Sequence, residues 1–536
     1  MKLSLKDKNG VILNTAKKYC EEDIEIKVNT EELNMSAIDN TQVKEGLFNK
    51  VTIKGTKKYL CRVVDYDGTV IKEEWLSIGD IFELPEPIKH NGLVFDGWVS
   101  PVPIINNTIL VENQDIIIGP MYYTESGATE LYVELNKKST LTLDLHGHTT
   151  PKFDYIDWGD GTVNTELSHT YDMYDEYCIK IYGMTEIPYS WTYSYGGYTL
   201  EYCLKHLRIS NTVTKLGDSC LDDCILLETI TFPSTIVQMK YYNFNRSHKL
   251  KTIVVPYGVE EIQGLAANLS GLIALVLPYG LKTIKTYLAT GAVGLEYLSL
   301  PDTIEEIGVG LLRYTYKVKR LHLPKSLKKV DETFQSISSL EEINGELPDN
   351  TDCDYNSMFG GSRLKIIPIP KNAKSLNSYC TKAQIRSIVF PDGVETVNSA
   401  CVDCNYLEEA YVPDSVKILN GTFQNCYMLK NVRLPAYLEE IAGGCFWECH
   451  QLEELIIPST LLALNGACLY ETSSLRKIDF SQHTFVPTLG QKQNYINETC
   501  QIIVPDELYD EWIAATNWSA HADMIVKKSE AIDYVN

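Results

Sequence analysis

One pattern returns thirteen times in the second half of the chain, and it leaves little choice of fold. The segments Leu227-Glu-Thr-Ile-Thr-Phe-Pro233, Leu250-Lys-Thr-Ile-Val-Val-Pro256, Leu295-Glu-Tyr-Leu-Ser-Leu-Pro301, Leu429-Lys-Asn-Val-Arg-Leu-Pro435 and Leu452-Glu-Glu-Leu-Ile-Ile-Pro458 share the order Leu-x-x-apolar-x-apolar-Pro. Weaker copies begin at Leu204, Leu272, Val318, Leu340, Leu364, Ile385, Leu407 and Leu475, and successive starts lie 21 to 24 residues apart. The fourth and sixth positions alternate as a strand with one buried face requires. Proline at the seventh has no N–H to donate and ends that strand. A second apolar pair follows, such as Ile304 and Ile307 or Leu438 and Ile441. So short a unit cannot bury its apolar face alone, whereas stacked units share one continuous core. At ~1.5–3 kcal/mol for each fully buried Leu or Ile, several per unit hold the stack together. The predicted product is a solenoid with one short parallel strand per turn.

Cysteine follows the same rhythm. Cys224, Cys404, Cys426 and Cys449 each stand three residues before the next repeat's Leu. Fifteen Cys in a chain of 536 residues is odd in number and too sparse for the disulfide framework of a small secreted domain. Buried thiols acting as small hydrophobes fit the rung better. Cys401-Val-Asp-Cys404 also spells a metal or redox pair, and Cys220/Cys224 and Cys445/Cys449 invite the same reading, but the repeat position already accounts for them. The copy at Leu340 carries two extra residues before Pro348, with Gly345 among them, and predicts a bulge. The acidic run from Asp349 to Asp354 has spacing suggestive of Ca²⁺ but no ordered ligand loop, and reads as a solvated loop.

This repeat resembles the BspA-type leucine-rich repeat, found in bacterial surface proteins and adhesins and in some phage proteins. The resemblance covers residues 204–480, about half the chain. It implies that the cysteines form a buried ladder beside the strands. Residues 481–536 read as a C-terminal cap. Gln501-Ile-Ile-Val-Pro505 is a last strand, and Asp506 opens a helix with an apolar face at Leu508, Trp512 and Ile513. That ending resembles the one common in the same repeat family.

The first half reads as small β modules, so the expected fold is multidomain and mainly β: β-grasp-like and immunoglobulin-like modules, then the solenoid with its parallel sheet. Residues 1–57 form an N-terminal β module. Its run Thr15-Ala-Lys-Lys-Tyr-Cys-Glu-Glu-Asp-Ile-Glu-Ile26 resembles a segment recurrent in phage tail and virion proteins, which implies attachment to a particle. Residues 58–124, with an Asp67-Gly68 turn and Phe95-Asp-Gly-Trp98, resemble the internalin B-type (Listeria–Bacteroides) repeat, a small β-grasp-like spacer with Trp98 in its core. Residues 125–183, with Trp158-Gly-Asp-Gly-Thr162 and His169-Thr-Tyr171, resemble the PKD domain, an immunoglobulin-like sandwich. Gly159 and Gly161 suit a tight hairpin, and Asp160 can bind nearby backbone N–H groups. Turn chemistry explains Asp157 and Asp160 without Ca²⁺, and His146, His148 and His169 lack the spacing that would fix a metal.

Tyrosine is in excess, 34 against 13 Phe, and it clusters where the modules meet the repeats. The junction, residues 184–203, holds Tyr189, Trp191, Tyr193, Tyr195 and Tyr198. A terminal repeat must cover its open core, so this stretch is expected to act as an N-terminal cap. Trp191, Tyr193 and Tyr195 are also candidate ligand contacts, as aromatic side chains at binding surfaces often are.

Function is bounded by charge and by what is missing. Lys plus Arg total 48 and Asp plus Glu 71, a net charge of −23, which disfavours nucleic acid and anionic lipid as partners. No apolar run is long enough to span a bilayer. The charged start Met1-Lys-Leu-Ser-Leu-Lys lacks the apolar core of a signal peptide, so synthesis in a cytoplasm without membrane insertion is expected. No phosphate-binding loop, zinc-protease motif or nucleophile elbow occurs, so the chain is expected to be no enzyme and to need no cofactor or metal. Position 5 of each repeat faces outward and gives a mixed stripe, including His322, Tyr411 and Arg433, with Tyr297 and Arg320 beside it. These are the candidate ligand-binding residues of the repeats. The expected role is that of a phage tail or fibre component, made in the host cytoplasm and residing in the virion. It would join other virion proteins and bind a host-surface protein or glycan through its repeats. The alternative is a bacterial cell-surface adhesin; self-association is left open in both.

Overall fold

The structure is a computed structural model that describes residues 57–135, 138–143, 152–189, 199–239, 241–349, 353–491, 497 and 499–532, plus the backbone of an antiparallel pair, Leu5–Lys6 with Glu25–Ile26. The candidate residues Trp191, Tyr193 and Tyr195 lie outside the described residues, as do His146 and His148. So do most of residues 1–57.

The repeats wind into a stack of parallel turns whose leading Leu side chains form the inner column. None of the thirteen residues that open the repeats, from Leu204 to Leu475, is more than 2% exposed. Positions 3 to 5 form the sheet, in register from turn to turn: Thr252 pairs with Ala274, Ile253 with Leu275 and Val254 with Val276. Here the expectation of one strand per turn is corrected. The second apolar pair also makes a short strand, and these strands stack as a second parallel sheet, as in Glu261–Ile262, Thr283–Ile284, Glu306–Ile307 and Lys329–Val330. Only one side chain of each such strand, for example Ile307, needs burial, so the segment is too brief to show a two-residue rhythm in sequence.

One turn of the repeats lacks the first-row strand. After Glu342–Asn344 the next strand of that row is Ser387–Val389, and the intervening turn has none. That turn reads Ile366-Ile-Pro-Ile-Pro370, and Pro368 has no N–H for the ladder. The bulge expected beside Gly345 is a turn instead. Pairing from Arg320↔Glu342 to His322↔Asn344 is unbroken, and Gly345, at φ +96°, then carries the chain out of the strand.

Both ends of the core are closed by strands. The first repeat strand, Leu204–Arg208, pairs in parallel with Thr229–Thr231 and antiparallel with Thr129–Leu135. The six-stranded sheet therefore runs without a break from residues 163–164 through 155–157, 175–182 and 129–135 into the repeats. A smaller pair, Ser139–Thr142 with Ser168–Tyr171, belongs to the same unit, and Tyr171 donates its hydroxyl to the Trp158 carbonyl at 2.7 Å. At the far end Gln501–Val504 pairs with Lys477–Asp479 and with Ile525–Lys527. The helix Tyr509–Ala514 then folds Trp512 over the core, where Trp512 and Trp518 pack on Phe480 at 4.8 and 5.5 Å between ring centroids.

Residues 58–124 form a four-stranded sheet ordered 70–77, 58–64, 116–124, 93–99. Strand Lys58–Val64 is buried on both sides. Tyr59, Cys61 and Val63 point into the unit's own core with Phe82 and Ile116, whereas Leu60 and Val64 join Val254, Ala274 and Val276 of the solenoid. The unit lies flat on the outward face of the repeat sheet. Gly119 permits that approach, since a Cβ there would stand 2.6 Å from Val254 Cγ2.

Candidate binding surface

The outward face of the repeat sheet divides into a covered half and an open half. In the covered half, the carboxylate of Asp115 accepts from the Leu60 amide at 2.8 Å and pairs with Arg320 at 3.0 Å. Burial pushes the Asp115 carboxyl up, and the Leu60 N–H and the Arg320 charge oppose that shift. Arg320 also lies over the Trp75 ring at 4.9 Å, and Arg62 over the Tyr297 ring at 3.6 Å. Ser299 donates to the Asp115 carbonyl at 2.5 Å, the Tyr279 amide to the Ser100 carbonyl at 2.7 Å, and the Tyr122 amide to the Phe232 carbonyl at 3.2 Å. Lys325 pairs with Glu112, and Lys57 with Glu342. His322 is buried, its Nε2 3.0 Å from Asp302. Burial alone would raise the Asp302 carboxyl, but hydrogen bonds from His322 and Lys325 outweigh it and hold the group well below the usual carboxylate range.

Three of the five candidate repeat residues, Tyr297, Arg320 and His322, are therefore engaged within the chain. The other two, Tyr411 and Arg433, face solvent on neighbouring turns past the one that holds Pro368. The Arg433 guanidinium lies over the Tyr411 ring at 4.9 Å and is fixed by Asp414 Oδ1 at 2.6 Å and the Val412 carbonyl at 2.8 Å. Val389 before this pair is 63% exposed and Ile456 after it is 66% exposed. The result is a strip of Val389, Tyr411, Arg433 and Ile456 at one strand position of four consecutive turns. Beside it, Arg386 and Lys430 flank Glu408 at 2.9 and 3.4 Å, so these charges are paired off along the strip's edge. A groove lined by Lys430–Leu434, Gln451, Glu453, Glu454 and Ile456 runs along the strip's second half. An apolar centre with a fixed cation, rimmed by paired charges, suits a protein or glycan surface.

The covering role of residues 58–124 does not follow from the repeat pattern. Its signal was present in Tyr59-Leu-Cys-Arg-Val-Val64 and Ile116-Ile-Ile-Gly-Pro-Met-Tyr-Tyr123, which lack a polar face. Strands of that kind are buried on both sides.

The hairpin at Trp158–Thr162 is held by turn chemistry. Asp157 accepts from the Gly159 amide at 3.0 Å, and Asp160 from the Thr162 amide at 2.9 Å. His169 is 2.7 Å from Asp160. Among the described residues one cluster of three metal-ligating side chains occurs, Cys380, Cys401 and Cys404. No helix of the described residues is long and apolar enough to cross a membrane.

Comparison with known proteins places these observations. The family model described as BspA type Leucine rich repeat region matches in overlapping stretches, 177–288, 267–385, 306–427 and 379–503. A leucine-rich repeat protein from Bacteroides ovatus is similar in structure at 21% identity, with 72% of this chain and 99% of that one covered and a TM-score of 0.53. A leucine rich cell surface protein from Faecalibacterium prausnitzii aligns at 16% identity over 71% of this chain and 94% of its own, with a TM-score of 0.34. No curated protein matches the chain.

Proposed function

Because the chain belongs to the BspA-type leucine-rich repeat family, we propose that it is a non-enzymatic adhesion protein of the bacterial cell surface. It would grip a partner protein or glycan with the open half of its repeat sheet. The observation that carries this reading is the strip Val389–Tyr411–Arg433–Ile456, left uncovered while the outward face around Val254, Val276 and Tyr297 is closed by residues 58–124. Members of this family occur among bacterial surface proteins and adhesins, and the family match favours that setting over a virion. The virion reading draws on Thr15–Ile26, which lies outside the described residues except for the backbone of Glu25–Ile26. In the same proposal residues 58–124 keep the internalin B-type reading and residues 125–183 the PKD-like one, as rigid supports of the solenoid. The net charge of −23 argues against nucleic acid as the partner.

The test is attachment. Labelled full-length chain is incubated with host epithelial cells and with a glycan array, beside Tyr411→Ala, Arg433→Ala and the double variant. Loss of attachment in the variants supports the reading; wild-type attachment by the double variant rules the strip out. Fractionation of the producing cells and of any phage they release decides the setting, since the chain should be found with the cell envelope.

A further inference from the structure

Two stacked pairs of buried phenylalanines inside the solenoid are separated by two turns that lack the ring, and three cysteines meet there. Phe334 and Phe359 stack on consecutive turns at 5.7 Å, and Phe423 and Phe446 at 5.8 Å further along. Between the two pairs the same position holds Cys380 and then Cys401. The backbone register shows this: the amide of Phe359 donates to the Tyr379 carbonyl, that of Cys380 to Ala400, and that of Cys401 to Thr422. Each acceptor is the residue just before the next member of the column. The buried Tyr379 ring, 5.5 Å from Phe359, fills part of the space that two phenyl rings would have occupied. Cys404, on the regular cysteine rung, completes the group.

The three Sγ atoms lie within 4.8 Å of one another, with 3.5 Å between those of Cys380 and Cys401, and all three residues are fully buried. A metal–sulfur bond of about 2.3 Å in a three-coordinate plane needs sulfurs roughly 4 Å apart. Thiolates select soft ions, Cu⁺ foremost among those that accept three ligands. Among the described residues no His, Asp or Glu joins the group to serve a tetrahedral Zn²⁺.

We propose that Cys380, Cys401 and Cys404 form a buried three-sulfur site for Cu⁺. The ion binds the three sulfurs as thiolates, and the thiol protons it displaces pass to solvent. The site is sealed, so loading accompanies folding or a local opening of the turns.

The full-length chain is refolded without oxygen in the presence of Cu⁺ buffered by bicinchoninate, then desalted. The expected result is one copper per chain with an all-sulfur shell by X-ray absorption. Cys404→Ser and Cys404→Ala should each lose that copper, whereas Cys426→Ser, which removes a buried thiol one turn beyond the trio, should keep it. Circular dichroism of each variant establishes that it is folded. The X-ray absorption measurement on the unaltered chain stands independently of them. Equal copper in the unaltered chain and in a Cys380/Cys401/Cys404 triple serine variant would overturn the proposal. So would a Cys380–Cys401 disulfide found by mass spectrometry in the chain as it is made.

Discussion

The guanidinium of Arg62 lies 3.6 Å from the centre of the Tyr297 ring, joining two residues 235 positions apart in sequence. Around that contact the unit formed by residues 58–124 is pressed against the repeat sheet by Leu60, Val64, Ile117 and Met121. Arg62→Ala should therefore loosen the unit without unfolding the repeats. A desolvated cation–π contact contributes ~0.5–2 kcal/mol. Hydrogen exchange should rise in residues 58–64 and 252–254 and stay unchanged in residues 429–479; protection that is unaltered everywhere would mean the contact holds nothing.

Gly119 gives a stronger lever on the same interface. A Cβ at this position would meet Val254 Cγ2 at 2.6 Å and Val276 Cγ2 at 3.2 Å. Gly119→Val should wedge the unit off the sheet and expose Val254 and Val276, which are now buried. Increased binding of an apolar dye at temperatures where the solenoid is still folded, together with new proteolytic cuts near residues 125–128, would report it. A variant as compact and as protease-resistant as the parent would contradict the packing described.

Turn-to-turn contact is tested at Gly308, next to the second-row strand Glu306–Ile307. A Cβ on Gly308 would stand 1.6 Å from the Lys285 carbonyl oxygen, a backbone atom that cannot swing aside. Gly308→Ala should destabilise the repeats by ~1–3 kcal/mol, as overpacking does. Urea denaturation measures it, and a midpoint within error of the parent would show that the turns can spread.

How much of this was legible in sequence depends on range. The Leu column, the strands at positions 3 to 5 and the cap at Trp512 follow from local periodicity, and the burial of Leu227 or Ile441 needs no knowledge of the rest of the chain. The second row of strands was missed because Glu261–Ile262 or Thr283–Ile284 is too short to alternate. The turn without a first-row strand is written in Pro368, which has no N–H to give the ladder. The candidate stripe was drawn as one surface because nothing local says that Trp75 will meet Arg320 or that Asp115 will meet Ser299. Such pairings are tertiary, and their sequence trace is confined to the two-sided apolar strands Tyr59–Val64 and Ile116–Tyr123.

Asp222 should make stability depend on pH. Burial raises its carboxyl to about 6, against the opposing hydrogen bond from the Asn245 amide. In the unfolded chain the group titrates near pH ~3.9. Between these values the folded state binds more protons than the unfolded one, so stability falls as pH rises through this window and the penalty is complete above it. Asp222→Asn keeps an acceptor for the Asn245 amide and removes the charge. It should gain on the order of 1 kcal/mol at pH 7.5, allowing for partial solvent screening, and nothing at pH 3.5. Paired urea melts at the two pH values check this, and a gain of equal size at both would assign the effect to something other than titration.

The covered and open halves of the sheet should behave oppositely toward a ligand. Ile456 is 66% exposed beside Glu454 and one turn from Arg433, so Ile456→Asp places a charge within the proposed contact, at the end of the strip. Tyr297 lies under Arg62, within the intramolecular interface. If the strip binds, Ile456→Asp should weaken attachment at least as much as a typical hot-spot truncation, ~2 kcal/mol or about 30-fold. Tyr297→Ala should leave attachment unchanged while loosening residues 58–64 in hydrogen exchange. Tyr411→Ala and Arg433→Ala should be non-additive, because the guanidinium rests on the ring at 4.9 Å and either loss disturbs both. Titrating each variant, and the Tyr411/Arg433 double variant, on whichever cell or glycan binds the parent gives all five numbers. A Tyr297 variant that loses attachment while Ile456→Asp keeps it would move the binding site to the covered half, and would mean that residues 58–124 must lift before the partner can bind.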